Sequence, residues 1–233
     1  VRLCSRLHEN FLVNSSTKNI NAMNIKHIFQ IILCACTLLP VQAQKAQDIL
    51  DKTAGKLKNS GGIEAVFEAT AFKGTKETGS AGGTIKVKGN KFKIESSSLT
   101  TWFDGKTQWT LLAGSDEVNV STPTAAELQA INPYSFINIY KKGYTATLAK
   151  ASYEGKSVHE VRLVATSKKS SMQKILLTID PATLMPLSVR FKNAKGDWTR
   201  IRVRSIKTGR KFADAAFTFD AKQHPGIEVI DLR

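Results

Sequence analysis

Several side chains in this sequence are of types that do chemistry, but their spacing does not support it. Ser171-Met172-Gln173-Lys174 sets a lysine three residues after a serine, the arrangement in which an amine takes the proton of a nucleophilic hydroxyl, and Lys207-Thr208-Gly209 follows downstream. That pair works at the head of a buried helix, whereas Ser171 opens an alternating strand pattern and no Ser-Asp-Asn stands between the motifs. His159 and His224 are far apart, and neither has a neighbour at metal-ligand spacing. Asp104, Asp180 and Asp197 fall in turn compositions, where a carboxylate serves backbone geometry. The sequence contains no Gly-x-Ser-x-Gly elbow, phosphate loop, dinucleotide fingerprint or His-Glu-x-x-His. The expectation is a protein that is not an enzyme, with no cofactor and no metal.

Large apolar side chains on strand-patterned segments are far better represented. From Thr84 to Ile94, apolar and basic residues alternate around Gly89-Asn90, and Trp102-Phe103 and Gln108-Trp109 flank Asp104-Gly105, read as a two-residue reversal with positive φ. A sheet carrying aromatic residues along one face must cover that face with its own core, a helix or an apolar ligand. The residues expected on it are Phe67, Phe92, Ile94, Trp109 and Leu111.

The elements that would hold this face follow from periodicity. Ile49, Leu50, Ala54 and Leu57 mark an amphipathic helix from Gln44 to Asn59, stopped by Ser60-Gly61-Gly62. A long strand follows from Ile63 to about Lys73, then a glycine-rich turn at Gly79 to Gly83, the two hairpins, and a short strand at Val118 and Val120. Thr124-Ala125-Ala126-Glu127 reads as a capping box, with Leu128 and Ile131 behind it. A second helical piece runs from Tyr134 to Lys142, apolar around most of its circumference through Phe136, Ile137, Ile139 and Tyr140. Strands return at Tyr144 to Tyr153, Ser157 to Ala165, Met172 to Ile179, Leu184 to Phe191, Trp198 to Ile206, Asp214 to Phe219 and Ile227 to Ile230. The fold class is mainly β: an incomplete antiparallel barrel of about eleven strands, with helices only at the start and in the middle.

Met23, Lys26, the 12-residue apolar run Ile28 to Leu39 and Val41-Gln42-Ala43 together read as a cleaved secretory signal peptide over 23–43. The run is too short to span a bilayer, which needs about 20 residues. Residues 1–22 would be an upstream leader and 44–233 a single domain. Leu33-Cys34-Ala35-Cys36 leaves open a lipid-anchored form, although the apolar run continues past Cys36. A cut after Ala43 removes all three cysteines and leaves 30 basic against 18 acidic residues. In an exported protein that balance indicates a solvated basic surface, anionic lipid headgroups or an acidic protein partner, and not nucleic acid.

Three motifs taken together resemble the LolA family of periplasmic outer-membrane lipoprotein carriers, specifically the variants of Bacteroides-like bacteria: the Gly83 to Ile94 hairpin, Asp104-Gly105-Lys106-Thr107-x-Trp109, and Asp214 to Phe219 leading to Pro225-Gly226-Ile227-Glu228-Val229. The resemblance implies an incomplete barrel with a helical lid over Pro123 to Tyr140, a cavity for lipoprotein acyl chains, and Leu128, Ile131, Phe136 and Ile137 facing the sheet from that lid. It further implies a periplasmic monomer that takes lipoproteins from an inner-membrane lipoprotein-releasing ABC transporter toward an outer-membrane acceptor. Proteobacterial members carry an arginine before proline near Val87-Lys88, implicated in holding the lid shut. This chain has Gly89-Asn90 there, so that contact is not carried over. A lipid- or lipoprotein-sensing module of the same shape that moves no cargo is the alternative reading.

Overall fold

The computed structural model describes residues 43–124, 127–128 and 139–233. The leader, nearly all of the signal segment, and the helical readings over 125–126 and 129–138, which include Ile131, Phe136 and Ile137, lie outside the described residues. Helix α1 spans 43–58 and turns Ala46, Leu50, Thr53 and Leu57 inward, the i, i+4, i+7 stripe that its sequence carries. Its end is closed by the Asn59 amide on the Gly55 carbonyl at 3.0 Å and by Gly61 at φ 76°.

Twelve strands follow: β1 Gly62–Lys73, β2 Lys76–Lys88, β3 Lys91–Ser96, β4 Leu99–Phe103, β5 Gln108–Leu112, β6 Glu117–Ser121, β7 Tyr144–Tyr153, β8 Lys156–Ala165, β9 Met172–Ile179, β10 Pro186–Asn193, β11 Trp198–Arg210 and β12 Glu228–Asp231. They form one sheet in the order β12-β6-β5-β4-β3-β2-β1-β11-β10-β9-β8-β7. All neighbours are antiparallel except β12, which lies parallel to β6. The sheet does not close, since β12 and β7 are its two edges, and the architecture is the expected incomplete barrel.

Three local readings are corrected. Gly79 to Gly83 is not a turn: it lies within β2, opposite Ala71 to Phe67, and the reversal is at Gly74-Thr75. The glycine at 83 makes room across the strand, because a Cβ there would come within 2.9 Å of the Phe67 ring and 2.5 Å of the Glu95 carbonyl. The Asp104-Gly105 reversal has four residues, because Phe103 pairs with Gln108. Asp104 closes it by accepting from the Lys106 and Thr107 amides, each at 2.8 Å, and only Gly105 has positive φ. Asp214–Phe217 is a 3₁₀ turn and not a strand; its Phe217 is fully buried.

Cross-strand pairs share a face, so the register divides the side chains between an inner and an outer surface. Over β7 to β10, the inner surface carries Ala146, Val161, Leu163, Ile175, Leu177 and Val189, packed with Leu50 and Leu57 of α1. Over β1 to β4 it carries Ala65, Ile85, Val87, Phe92 and Phe103. Tyr140 docks the end of the middle segment on α1 by donating its hydroxyl to Asp51. Burial first, and then the Asp51 carboxylate, push the Tyr140 hydroxyl well above the usual tyrosine range, so it remains a donor.

Candidate lipid-binding face

The second of these clusters forms the candidate site. Successive register pairs build it: Ala65 with Ile85, Ile85 with Ile94, Val87 with Phe92, and Phe92 with Phe103. The Phe92 and Phe103 rings lie 5.1 Å apart at 32°. Phe67, Ile94, Leu128, Val203 and Ile206 pack against this group but remain half-buried. Ile206 also touches the α1 cluster, so the two patches are continuous along the inner surface.

Leu128 reaches this face because the capping box forms. The Thr124 amide donates to Glu127 Oε2 at 2.7 Å, the Glu127 amide donates to Thr124 Oγ1 at 3.3 Å, and the Leu128 amide reaches the Thr124 carbonyl at 2.9 Å. The amide and hydroxyl of Thr124 hold the Glu127 carboxyl below its ordinary range.

Beyond Phe103 the inner surface turns polar. Gln108 and Thr110 of β5 pair with Ser121 and Asn119 of β6, and Gln108 Nε2 donates to Thr110 Oγ1 at 3.2 Å. The buried Gln108 Oε1 has no hydrogen-bond partner among the described residues. A cavity of about 610 Å³ opens here, lined by Gln108, Ser121, Thr122, Pro123, Glu127, Leu232 and Arg233. Its lining adjoins the apolar face in register and in sequence, since Gln108 is the register partner of Phe103 and Glu127 precedes Leu128. The arrangement is an apolar strip with a polar mouth, suited to a ligand that has an oily body and a polar end.

The structure brings together four of the nine residues expected at the site: Phe67, Phe92, Ile94 and Leu128. It separates two. Trp109 pairs with Trp102, which pairs with Lys93, and Leu111 pairs with Thr100 and Val118, so both tryptophans and Leu111 point to the outer surface. There Trp102 is buried in edge contact with Phe219 and His224, at 5.5 and 5.6 Å. His224 is thereby a packing residue stacked on Phe219 at 5.0 Å. Phe103, Ile85, Val87 and Val203 also belong to the face and are not among the nine expected residues, although the alternation in Ile85-Lys86-Val87-Lys88 marks two of them. The carboxylates of Asp104 and Asp180 are engaged with backbone amides, Asp180 with those of Ala182 and Thr183 at 2.8 Å.

A search of curated proteins finds no match to the sequence. Among solved structures, an uncharacterised conserved protein from Thermus thermophilus superposes with a TM-score of 0.54 at 13% identity, covering 80% of this chain and 99% of that one. A LolA superfamily protein from Nitrosomonas europaea gives 0.41 at 13% identity, covering 75% and 98%. MucB from the Pseudomonas aeruginosa MucA/MucB complex gives 0.39 at 13% identity, covering 76% and 62%. The first of these likenesses shows the fold alone. The sequence itself matches the model of the outer membrane lipoprotein carrier protein LolA over residues 37–195. This chain belongs to the LolA family of outer-membrane lipoprotein carrier proteins.

Proposed function

We propose that this protein is a periplasmic carrier that holds lipoprotein acyl chains on the inner face of β1 to β4. In this reading the chains lie against Phe67, Phe92, Ile94, Phe103 and Leu128, with the polar end of the cargo at Gln108 and Ser121. The sequence adds Ile131, Phe136 and Ile137 as further apolar contacts. The observation that carries the reading is unequal cover: Leu163, Ile175, Leu177 and Ile179 are fully buried beneath α1, whereas Phe67, Ile94, Leu128 and Val203 keep accessible surface.

The energetics suit transport. Burying a methylene is worth about 0.8 kcal/mol, so a 16-carbon chain offers on the order of 12 kcal/mol before ordering costs. A carrier must keep enough of this to hold the chain out of water and leave enough unused to let it go, which favours an incompletely covered strip over a closed core. The family supports lipoprotein binding. Transfer from an inner-membrane lipoprotein-releasing ABC transporter to an outer-membrane acceptor, by a monomer exported through a cleaved signal peptide, is the finer part of the proposal.

The test is to purify the protein from the envelope and measure bound lipid by native mass spectrometry, with displacement of a fluorescent acyl probe by a synthetic acylated peptide. Co-purifying acylated species and displacement by the acylated peptide, but not by its unacylated form, are expected. Equal displacement by both peptides would overturn the reading. Mislocalised lipoproteins on depletion of the protein would then distinguish a carrier from a sensor.

A further inference from the structure

The outer face of β8, β9, β10, β11 and β1 presents an ordered array of cations that the acyl site does not use. Three rows run across it. One reads Val164, Lys174, Lys192, Trp198, Phe72; the next Arg162, Leu176, Arg190, Arg200, Thr70; the third Glu160, Thr178, Ser188, Arg202, Glu68. Lys174 thus stands directly opposite Lys192, and Arg190 directly opposite Arg200. Like charges in direct cross-strand register are destabilising, and a sheet that places two such pairs side by side sets local stability against some other gain.

The acids of this face neutralise it only in part, through Glu68, which stands opposite Arg202 and also feels the charges of Arg202 and Arg200. Glu160 is held by Arg162 and Glu68 by Arg204, and none of Lys174, Lys192, Arg190, Arg200 or Arg202 has an acidic partner within salt-bridge distance among the described residues. Arg200 Nε and Arg202 Nε are also shielded from solvent, with no hydrogen-bond partner among the described residues. Four of the five lysines of β2 and β3 behave differently: Lys86 and Lys93 pair with Glu95, and Lys88 and Lys91 with Asp214. The unpaired cations of this face therefore adjoin one another in register as one basic surface. Two aromatic rings lie within it, with Arg190 over Trp198 at 5.2 Å and Arg200 over Phe72 at 5.1 Å.

We propose that this face docks the protein on the surface of an anionic phospholipid bilayer. The charges spread in two dimensions over neighbouring strands instead of lining a groove, which matches a plane of headgroups better than an extended acidic peptide. Trp198 and Phe72 supply the interfacial aromatic component, since such rings are favoured at headgroup depth. The inference uses no residue of the acyl-binding strip, so it stands or falls separately from the carrier reading.

The test is co-flotation of the envelope-purified protein with vesicles of phosphatidylcholine alone or mixed with phosphatidylglycerol. Binding only to the mixed vesicles, weakening as salt is raised, is expected. The triple variant Lys174→Gln, Arg190→Gln, Lys192→Gln should bind those vesicles on the order of a hundredfold more weakly, at about fivefold per cation. Its melting temperature should be unchanged or higher, because like-charge contacts are relieved. The control variant Lys45→Gln, Lys52→Gln, Lys58→Gln removes the same charge from α1 and should bind as the parent does. Equal loss in both variants would assign the effect to net charge and overturn the proposal. So would parent protein that ignores the mixed vesicles, or that captures polyglutamate in their place. Acyl-probe affinity measured on the same samples reports separately on the inner face.

Discussion

The two halves of the inner surface are built from similar strands and finished differently. Over β8 and β9, α1 lays Leu50 and Leu57 on Val161, Leu163, Ile175, Leu177 and Ile179, and each of those strand residues is fully buried. Over β1 to β4, only Phe92 among the face residues reaches that state, while Phe67 and Ile94 remain half-buried and Leu128 covers part of the strip. One half is thus closed at its centre beneath α1, with Leu148, Met185 and Phe191 half-buried at its margin. Among the described residues the other holds comparable apolar surface without comparable cover, which is the condition for a ligand to complete the packing. Stability and binding should therefore separate along the sheet, and substitutions in the two halves test whether they do.

The largest effect on stability is expected from Leu177→Ala, which empties a site closed on all sides: a loss of about 2–5 kcal/mol, read as a lower urea midpoint. Acyl-probe affinity of the protein that remains folded should be unaltered. Phe67→Ala should show the reverse pattern. Its ring already touches solvent and lies over Gly83, so a stability cost below that of Leu177→Ala is expected, together with a loss of acyl-probe affinity of about tenfold, as removal of a half-buried aromatic contact implies. Equal stability costs with unchanged affinity would make the open half an ordinary core and remove the contrast. Gly83→Ala sharpens the same point from across the strand. The added methyl would press on the Phe67 ring and the Glu95 carbonyl, and overpacking of this kind costs about 1–3 kcal/mol. Pairing it with Phe67→Ala should recover part of the loss, because the flexible ring is gone while the backbone contact stays.

The same contrast explains what could be read from the sequence. The strands and α1 are legible because their patterns have clear periods, and the turns at Gly89-Asn90 and Glu154-Gly155 each carry a glycine at positive φ. Gly79 to Gly83 misled because glycine serves both to turn a chain and to let a large neighbour lie across a strand, and only the position of the Phe67 ring distinguishes the two. The sequence places Trp109 and Leu111 on the inner surface because alternation fixes which residues share a face within a strand but not across a reversal. That parity is set at Ser97-Ser98, where Ser96 Oγ accepts from the Leu99 amide at 3.2 Å and the register brings Phe92 opposite Phe103. A turn one residue longer would have put both tryptophans on the inner surface. Nor could periodicity show that Asp214 to Phe219 covers the outer surface instead of joining the sheet. Phe217 and Phe219 alternate as a strand would, but Phe217 packs edge-on to nearby Phe212 and Phe219 on distant Trp102.

The smallest predicted effect concerns that outer cover. Lys88 and Lys91 both hold Asp214, at 2.8 and 2.9 Å, pinning the turn at Asp214–Phe217 to the β2-β3 reversal. Their hydrogen bonds and charges lower the Asp214 carboxyl from 3.8 to about 2. A carboxyl whose folded value is depressed contributes stability above its unfolded value, and that contribution is lost as pH falls through the folded one. The hold on the turn should therefore weaken between pH 3.8 and about 2. Because Trp102 packs against Phe219, which follows this turn, the loosening should appear as a change in tryptophan fluorescence over that interval, in low salt and before global unfolding. Asp214→Asn should remove this pH step and, being exposed, should alter stability little. Acyl-probe affinity should not move with it, since the turn covers the outer surface. A parallel fall in affinity would mean that the two surfaces of the sheet are coupled through β3 and β4, and that the open half of the inner face depends on its outer cover.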